Sequence, residues 1–172
     1  MNKVAIPGIL AMIIAGIFVL APLQTAAGGN ILFSEGNVDI KPQTCPNSLN
    51  VKSKGVLPVA ILGTDTFDVA DVDVSTLALE GVAPVARPNG KVASISDVAT
   101  PFGSAPSDAE DCTADGPDGF LDLIMKFRTQ DIVDTDLSSE SDGAEVLLTL
   151  TGELLDGTPL EGGDFVVIIK KP

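Results

Sequence analysis

The stretch FLDLIMKF (residues 120–127) alternates apolar with polar side chains, and the interpretation of the whole chain starts from it. Leu121, Leu123 and Met125 fall on one face of an extended chain, whereas Asp122 and Lys126 fall on the other. A period of two residues is typical of a β-strand with one face in a core and the other in water. We therefore expect a half-buried strand here, with Asp122 on its wet face.

Seven further short apolar blocks, separated by Gly, Pro, Asn, Asp and Ser, extend this signal along the chain. They cover residues 37–42, 55–63, 75–81, 82–86, 92–99, 144–152 and 164–170. About eight short strands joined by turns favour an all-β fold, an antiparallel, immunoglobulin-like β-sandwich. Residues 128–143 are polar and predict a long loop or a short helix. No repeat or long linker divides the chain, so we expect one sandwich domain over residues 37–172.

The N-terminus has the layout of a secretory signal peptide. Lys3 precedes an apolar run from Val4 to Ala21, and small residues then lead to a cleavage position after Ala27. We expect residues 1–27 to be the signal peptide and residues 28–36 to be a short segment before the domain, which places the mature protein outside the cell or on its surface. A retained anchor is the alternative, because the run is roughly long enough to span a bilayer. The membrane would then be contacted only through this segment.

The composition excludes several kinds of chemistry. His, Tyr and Trp are absent, so histidine-based nucleophiles, proton shuttles and zinc sites are not available. Removing the leader takes away one of the 10 basic and none of the 24 acidic residues, which leaves a net charge of 9 − 24 = −15. Such a charge repels nucleic acid and anionic lipid and attracts cations, calcium above all outside the cell. It also keeps a secreted protein soluble.

Two cysteines, Cys45 and Cys112, follow the leader. In an exported chain, two thiols most simply form one disulfide. Two free thiols in a reducing habitat are the alternative.

Three stretches together resemble a module that recurs in secreted bacterial and archaeal proteins, often beside dockerin-like calcium-binding repeats. They are VDIKPQTCPNSLNVKSKGVLPVAILGTDTFDVADVDVSTLALEGV (residues 38–82), DGPDGFLDLIMKFRTQDI (residues 115–132) and LTGELLDGTPLEGGDFVVI (residues 150–168). The corresponding hallmarks are a VDIKPG-type opening, a KGVLPVAILGT strand, a DGDGxLDL strand start and an LTGxxxDGTPIEG hairpin. The resemblance implies a small extracellular β domain of no established activity, although some copies carry carbohydrate-active labels such as pectate lyase.

The resemblance also implies that the aspartate-rich turn of the module is split in this chain. Ser96-Asp97-Val98 is similar to the first half of the turn, and residues 118–122 are similar to the second half. Residues 99–117 would then be an insertion that carries Cys112, and a disulfide to Cys45 would hold it down.

The aspartates before FLDLIMKF have part of the spacing of a calcium loop. Counted from Asp111, the first, fifth and twelfth positions are Asp111, Asp115 and Asp122, and the sixth is a glycine; these positions carry ligands and the turn in known calcium loops. With Asp118 in between and Asp97 from the other half of the split turn, the predicted calcium ligands are Asp97, Asp111, Asp115, Asp118 and Asp122. The alternative is ordinary turn chemistry, in which aspartates accept backbone amides. A second acidic group is interpreted as a solvated loop with Asx turns: Asp65, Asp68, Asp71 and Asp73.

Together these features predict a secreted, calcium-stabilised, non-catalytic module with a structural or adhesive role, whose partner is a cell-surface or extracellular-matrix protein. The alternative is a self-assembling filament subunit. Residues 28–40 include the apolar patch Ile31, Leu32 and Phe33, which could add as a strand to a neighbour's sheet edge; the simpler interpretation makes this segment the first strand of its own domain. A pectate-lyase-like, carbohydrate-acting enzyme is a third interpretation. We expect no catalysis, because sugar-cleaving sites are usually lined by aromatic residues and the chain has 7 Phe without Trp or Tyr.

Overall fold

A computed structural model describes residues 37–171 of the chain. The predicted signal peptide (residues 1–27), the segment of residues 28–36 and its patch Ile31, Leu32 and Phe33 lie outside the described residues. Within residues 37–171 no helix is long and apolar enough to cross a membrane.

Eight strands make up almost all of the regular structure, as the alternating blocks predict. They are β1 (Val38–Ile40), β2 (Ser48–Asn50), β3 (Val56–Ile61), β4 (Val72–Leu79), β5 (Ala93–Ser96), β6 (Asp122–Arg128), β7 (Glu145–Leu154) and β8 (Pro159–Ile169). A short helix, α1 (Thr129–Val133), and a 3₁₀ turn at Leu137–Ser139 occupy the polar segment after β6, where a loop or short helix is expected.

The strands form two four-stranded sheets that pack face to face. The first sheet has the order β1-β3-β6-β5 and the second β2-β8-β7-β4. If β1 and β2 are counted as two halves of one first strand, this is the order of an immunoglobulin-type sandwich. The all-β sandwich prediction is therefore confirmed.

One strand pair departs from the expected antiparallel pattern. β2 runs parallel to β8, whereas every other pair among the described strands is antiparallel. The chain leaves the first sheet after Ile40 and joins the second sheet at Ser48 without reversing its direction. A strand that crosses between sheets in this way meets β8 in the parallel orientation.

The strand predicted at residues 82–86 is wrong, and β2 is missing from the prediction. Pro84 interrupts residues 82–86, and a proline cannot donate the backbone hydrogen bond that a strand requires. Val82 instead closes a tight turn after β4 by an isolated bridge to Leu79, with positive φ at Glu80 and Gly81, and residues 83–86 form no strand. β2 has the sequence SLN, which is too short and too polar to show a strand period.

The sandwich has its main core between the sheets and a smaller one on the outer face of the first sheet. Leu123, Met125 and Phe127 of β6 point into the main core. On the opposite face, Ala60 and Leu62 pack against Ala99, at the start of the insertion. Val98 and Ala99 lie over this outer face, and Asp122 beneath them is fully buried. The expectation of a wet face at Asp122 is therefore wrong.

Candidate functional site

Asp122 joins three segments at one end of the first sheet. It is the first residue of β6, and its Oδ1 accepts a hydrogen bond from the backbone N–H of Gly63 at 3.1 Å. Its Oδ2 accepts from the N–H groups of Val98 (2.7 Å) and Ala99 (3.2 Å). Burial raises the pKa of Asp122, while these three bonds act in the opposite direction. The carboxylate thus satisfies buried amides after β3 and after β5.

Asp97 brings the two halves of the split turn together, as the resemblance implies. Its Oδ1 accepts from the N–H of Asp118 at 3.0 Å, and its Oδ2 accepts from the N–H of Gly119 at 2.8 Å. Asp118 in turn accepts from the N–H of Phe120 at 2.9 Å. Gly119 has φ +102°, a conformation that residues with a side chain rarely adopt. The negative charge of Asp97 also contributes to the raised pKa of Asp122.

Asp111 and Asp115 make their described contacts inside the insertion. Oδ2 of Asp111 accepts from the N–H (2.9 Å) and the Oγ (2.6 Å) of Ser107, and these bonds lower the pKa of Asp111. The N–H of Asp115 donates to Oγ1 of Thr113 at 2.9 Å.

The five predicted ligands do not converge on one point. Across residues 37–171 there is no group of three or more Asp, Glu, Cys or His side chains placed to hold a metal ion. The contacts of Asp97 and Asp122 are those of the turn-chemistry alternative, in which aspartates accept backbone amides. Calcium binding stays a prediction.

The disulfide between Cys45 and Cys112 is formed, with 5.5 Å between the two Cα atoms, as predicted. It attaches the insertion to the crossing between β1 and β2. Two hydrogen bonds tie neighbouring parts of the chain together: Gln43 Nε2 donates to the carbonyl of Val98 at 2.9 Å, and the N–H of Ala109 donates to Oε2 of Glu145 at 3.1 Å.

Two buried carboxyl groups beside this crossing were missed by the sequence analysis. Asp164 of β8 is 3% exposed and shares the inward-facing parity of Val166 and Ile168. Its Oδ2 accepts from the N–H of Ile40 and from Nδ2 of the buried Asn47, both at 2.8 Å. Its Oδ1 is buried without a hydrogen-bond partner. Asp164 therefore holds the point at which the chain leaves one sheet for the other.

Asp39 is the second of these groups. It is 7% exposed, and its Oδ2 also lacks a hydrogen-bond partner. Asp39 lies opposite Ala60, which belongs to the small core under the insertion. Burial, and then the charges of Asp164 and Asp122, raise the pKa of Asp39 to about 7. Burial raises the pKa of Asp164 to about 6.

A longer alternation pattern could have revealed Asp164. Leu160, Asp164, Val166 and Ile168 lie at even-numbered spacings along one face of β8. The predicted strand begins at residue 164 whereas β8 begins at Pro159, and an acid at the first position of a strand resembles the end of a turn. Asp39 gives no such signal, because an acid between two apolar residues usually faces water.

The second acidic group lies beside the split turn. Asp65, Asp68 and Asp71 line an open groove of about 500 Å³ together with Gly119, Phe120 and Leu121. Within this group, Asp68 accepts from the N–H of Ala70 (2.9 Å) and Asp73 accepts from the N–H of Ser75 (3.0 Å), which are the contacts of Asx turns.

No protein-family model, no curated protein and no solved structure matches this chain. The resemblance to secreted modules therefore rests on the motifs alone, and the function is inferred from the residues of this chain.

Proposed function

We propose that this chain is a secreted, non-catalytic extracellular module with a structural or adhesive role, and that its partner is a cell-surface or extracellular-matrix protein. The observation that carries the proposal is the Cys45–Cys112 disulfide, because disulfides persist in oxidising, extracellular compartments. The high negative charge and the signal-peptide layout of the N-terminus support the same location.

The placement of the perturbed carboxyl groups supports a role without catalysis. Catalytic acids commonly combine a shifted pKa with a position in an accessible cleft. Asp39 and Asp164, whose pKa values are raised most, are buried at the strand crossing instead. Asp122 is equally buried and its oxygens accept backbone amides. These groups serve the fold at places that a substrate does not reach.

Cell fractionation of a producing strain tests the location. We expect the protein in the medium or on the cell surface, with Gly28 as its first residue by mass spectrometry and without thiols that react before reduction. Protein found in the cytoplasm with two reactive thiols would contradict the proposal.

Calcium stabilisation is part of the proposal and rests on the acidic loops. Asp97 and Asp118 meet at the split turn, and a bound cation would offset the repulsion among the carboxylates in this region. Thermal melts with excess calcium and with a chelator test this point. We expect a higher midpoint with calcium, and a smaller shift in Asp97→Asn than in Asp134→Asn, an exposed control at the end of α1. Equal midpoints with calcium and with chelator would refute calcium binding.

A filament subunit is the second candidate function. The observation that favours it is an open, apolar edge of the sandwich between β4 and β5. Size-exclusion chromatography at rising concentration and electron microscopy distinguish filaments from monomers.

A further inference from the structure

The sandwich is open along the edge formed by β4 and β5. Each of these strands ends its sheet, so no strand of residues 37–171 pairs with their outer sides. A groove of about 520 Å³ lies between them, lined by Val74 from β4, by residues 90–95 and by Leu123 at its floor. Because Leu123 is a buried core residue, the groove leads directly to the main core.

The walls of the groove are apolar side chains that face inward without being covered. Ala93 and Ile95 lie opposite Met125 and Leu123, so all four occupy the core-facing side of the first sheet. Ile95 is nevertheless 50% exposed. One more strand beside β5 would cover the exposed half of this inward-facing isoleucine and complete the packing at the edge.

We propose that this groove binds the N-terminal segment of a second copy of the chain, which adds a strand beside β5; this inference rests on the filament candidate. The segment GGNILF (residues 28–33) carries Ile31 and Phe33 two residues apart, so both fall on one face of an extended strand. That face enters the groove above Leu123, and Leu32 points away from it.

The segment of the same chain is too short to fill the groove. Val38, Ile61, Leu123 and Ile95 form one row across the first sheet, from β1 to β5. A strand outside β5 lies four strand spacings from β1, about 19 Å. Phe33 is five residues from Val38, and five residues span at most about 18 Å when fully extended. Even a fully extended crossing therefore does not bring Phe33 to a strand beside β5, which favours a second copy as the source of the strand.

Charge also favours this edge as the acceptor. Lys91 lines the groove, and Arg87 lies along β5, where its Nη2 donates to Oγ of Ser94 at 2.8 Å. Glu35 follows the segment, two residues after Phe33. In a chain with few basic residues, two cations at the acceptor edge reduce the repulsion between two acidic copies.

A mixing experiment with the chain starting at Gly28 tests the proposal. The donor variant is Ile31→Asp/Phe33→Asp, and the acceptor variant is Ile95→Asp. The control is Leu155→Asp, which changes a 69% exposed leucine outside the groove. Association is measured by sedimentation velocity. Circular dichroism verifies the fold, and Val92→Asp on the same groove replaces Ile95→Asp if that variant unfolds.

We expect the wild type and the Leu155→Asp control to associate in a concentration-dependent manner. The donor and acceptor variants should each remain monomeric, and their equimolar mixture should form dimers and stop there, because only one intact groove meets one intact segment. If the wild type associates and the mixture stays monomeric, the groove is not the acceptor and the filament candidate survives. If the wild type is monomeric at every concentration, both proposals are wrong. Loss of association in the control would show non-specific contact and would also overturn the proposal.

Discussion

Replacing Asp39 by asparagine should make the stability of the domain much less dependent on pH. Asp39 carries a buried carboxyl oxygen without a hydrogen-bond partner, and its pKa is raised to about 7. A group whose pKa is raised on folding binds its proton more tightly in the folded state, so the folded state is favoured while the group is protonated. The wild type should therefore lose stability as the pH rises from about 4 to about 8.

The size of the loss follows from the two buried groups. One pKa unit corresponds to about 1.4 kcal/mol. The rise in the pKa of Asp39 from 3.8 to about 7 therefore lowers the free energy of unfolding by about 4 kcal/mol once the pH exceeds 7. The rise in the pKa of Asp164 from 3.8 to about 6 lowers the free energy of unfolding by about 3 kcal/mol. Asp39→Asn removes the first of these two costs and should therefore recover about 4 kcal/mol at pH 8, roughly 15 °C in Tm.

Urea and thermal unfolding of wild type and Asp39→Asn between pH 4.5 and pH 8 measure this effect. At the acidic end the two proteins should differ by no more than about 1 kcal/mol, because the protonated acid and the amide are both neutral. Asp65→Asn, at an exposed site, removes the same charge and should keep the wild-type slope. Equal slopes for wild type and Asp39→Asn, or an equal flattening in Asp65→Asn, would refute the reasoning. Hydrogen bonds lower the pKa of three other aspartates, Asp73, Asp111 and Asp156, and their contribution to stability is lost only below about pH 4.

Three further changes probe the covered outer face. Asp122→Ala leaves three backbone amides without their acceptor and should lower the free energy of unfolding by at least about 3 kcal/mol in urea titrations. A loss below about 1 kcal/mol would show that this carboxylate does not hold the three segments together. Cys45→Ala/Cys112→Ala removes the disulfide, which closes a loop with a sequence separation of 67, and should lower the free energy of unfolding by about 4 kcal/mol. Limited proteolysis should then show new cleavage within residues 99–117. An unchanged cleavage pattern would show that the insertion is held without the disulfide. Gly63→Ala places a Cβ against the backbone carbonyl of Leu121 and should lower the free energy of unfolding by about 1 to 3 kcal/mol. The control Gly55→Ala meets only a hydroxyl at 3.4 Å and should lower it by less than about 1 kcal/mol. Equal losses of stability in the two variants would argue against a tight approach at Gly63.

The split turn shows how far local patterns reach into the site. The resemblance implies that Asp97 and residues 118–122 are two halves of one turn, and Asp97 binds the amides of Asp118 and Gly119. Asp111 was assigned to the same group from calcium-loop spacing, yet it binds Ser107 inside the insertion.

The sequence by itself determined seven of the eight strands, the two-sheet class and the pairing of Cys45 with Cys112. Alternation records which face of a strand is apolar, and two cysteines in an exported chain have one simple pairing. Only the tertiary structure decided that Asp122 is covered, that β2 joins β8 in parallel, and that Asp39 and Asp164 are buried near each other. The physical reason is distance along the chain: Asp164 binds the N–H of Ile40 across 124 residues, and no local period encodes such a contact.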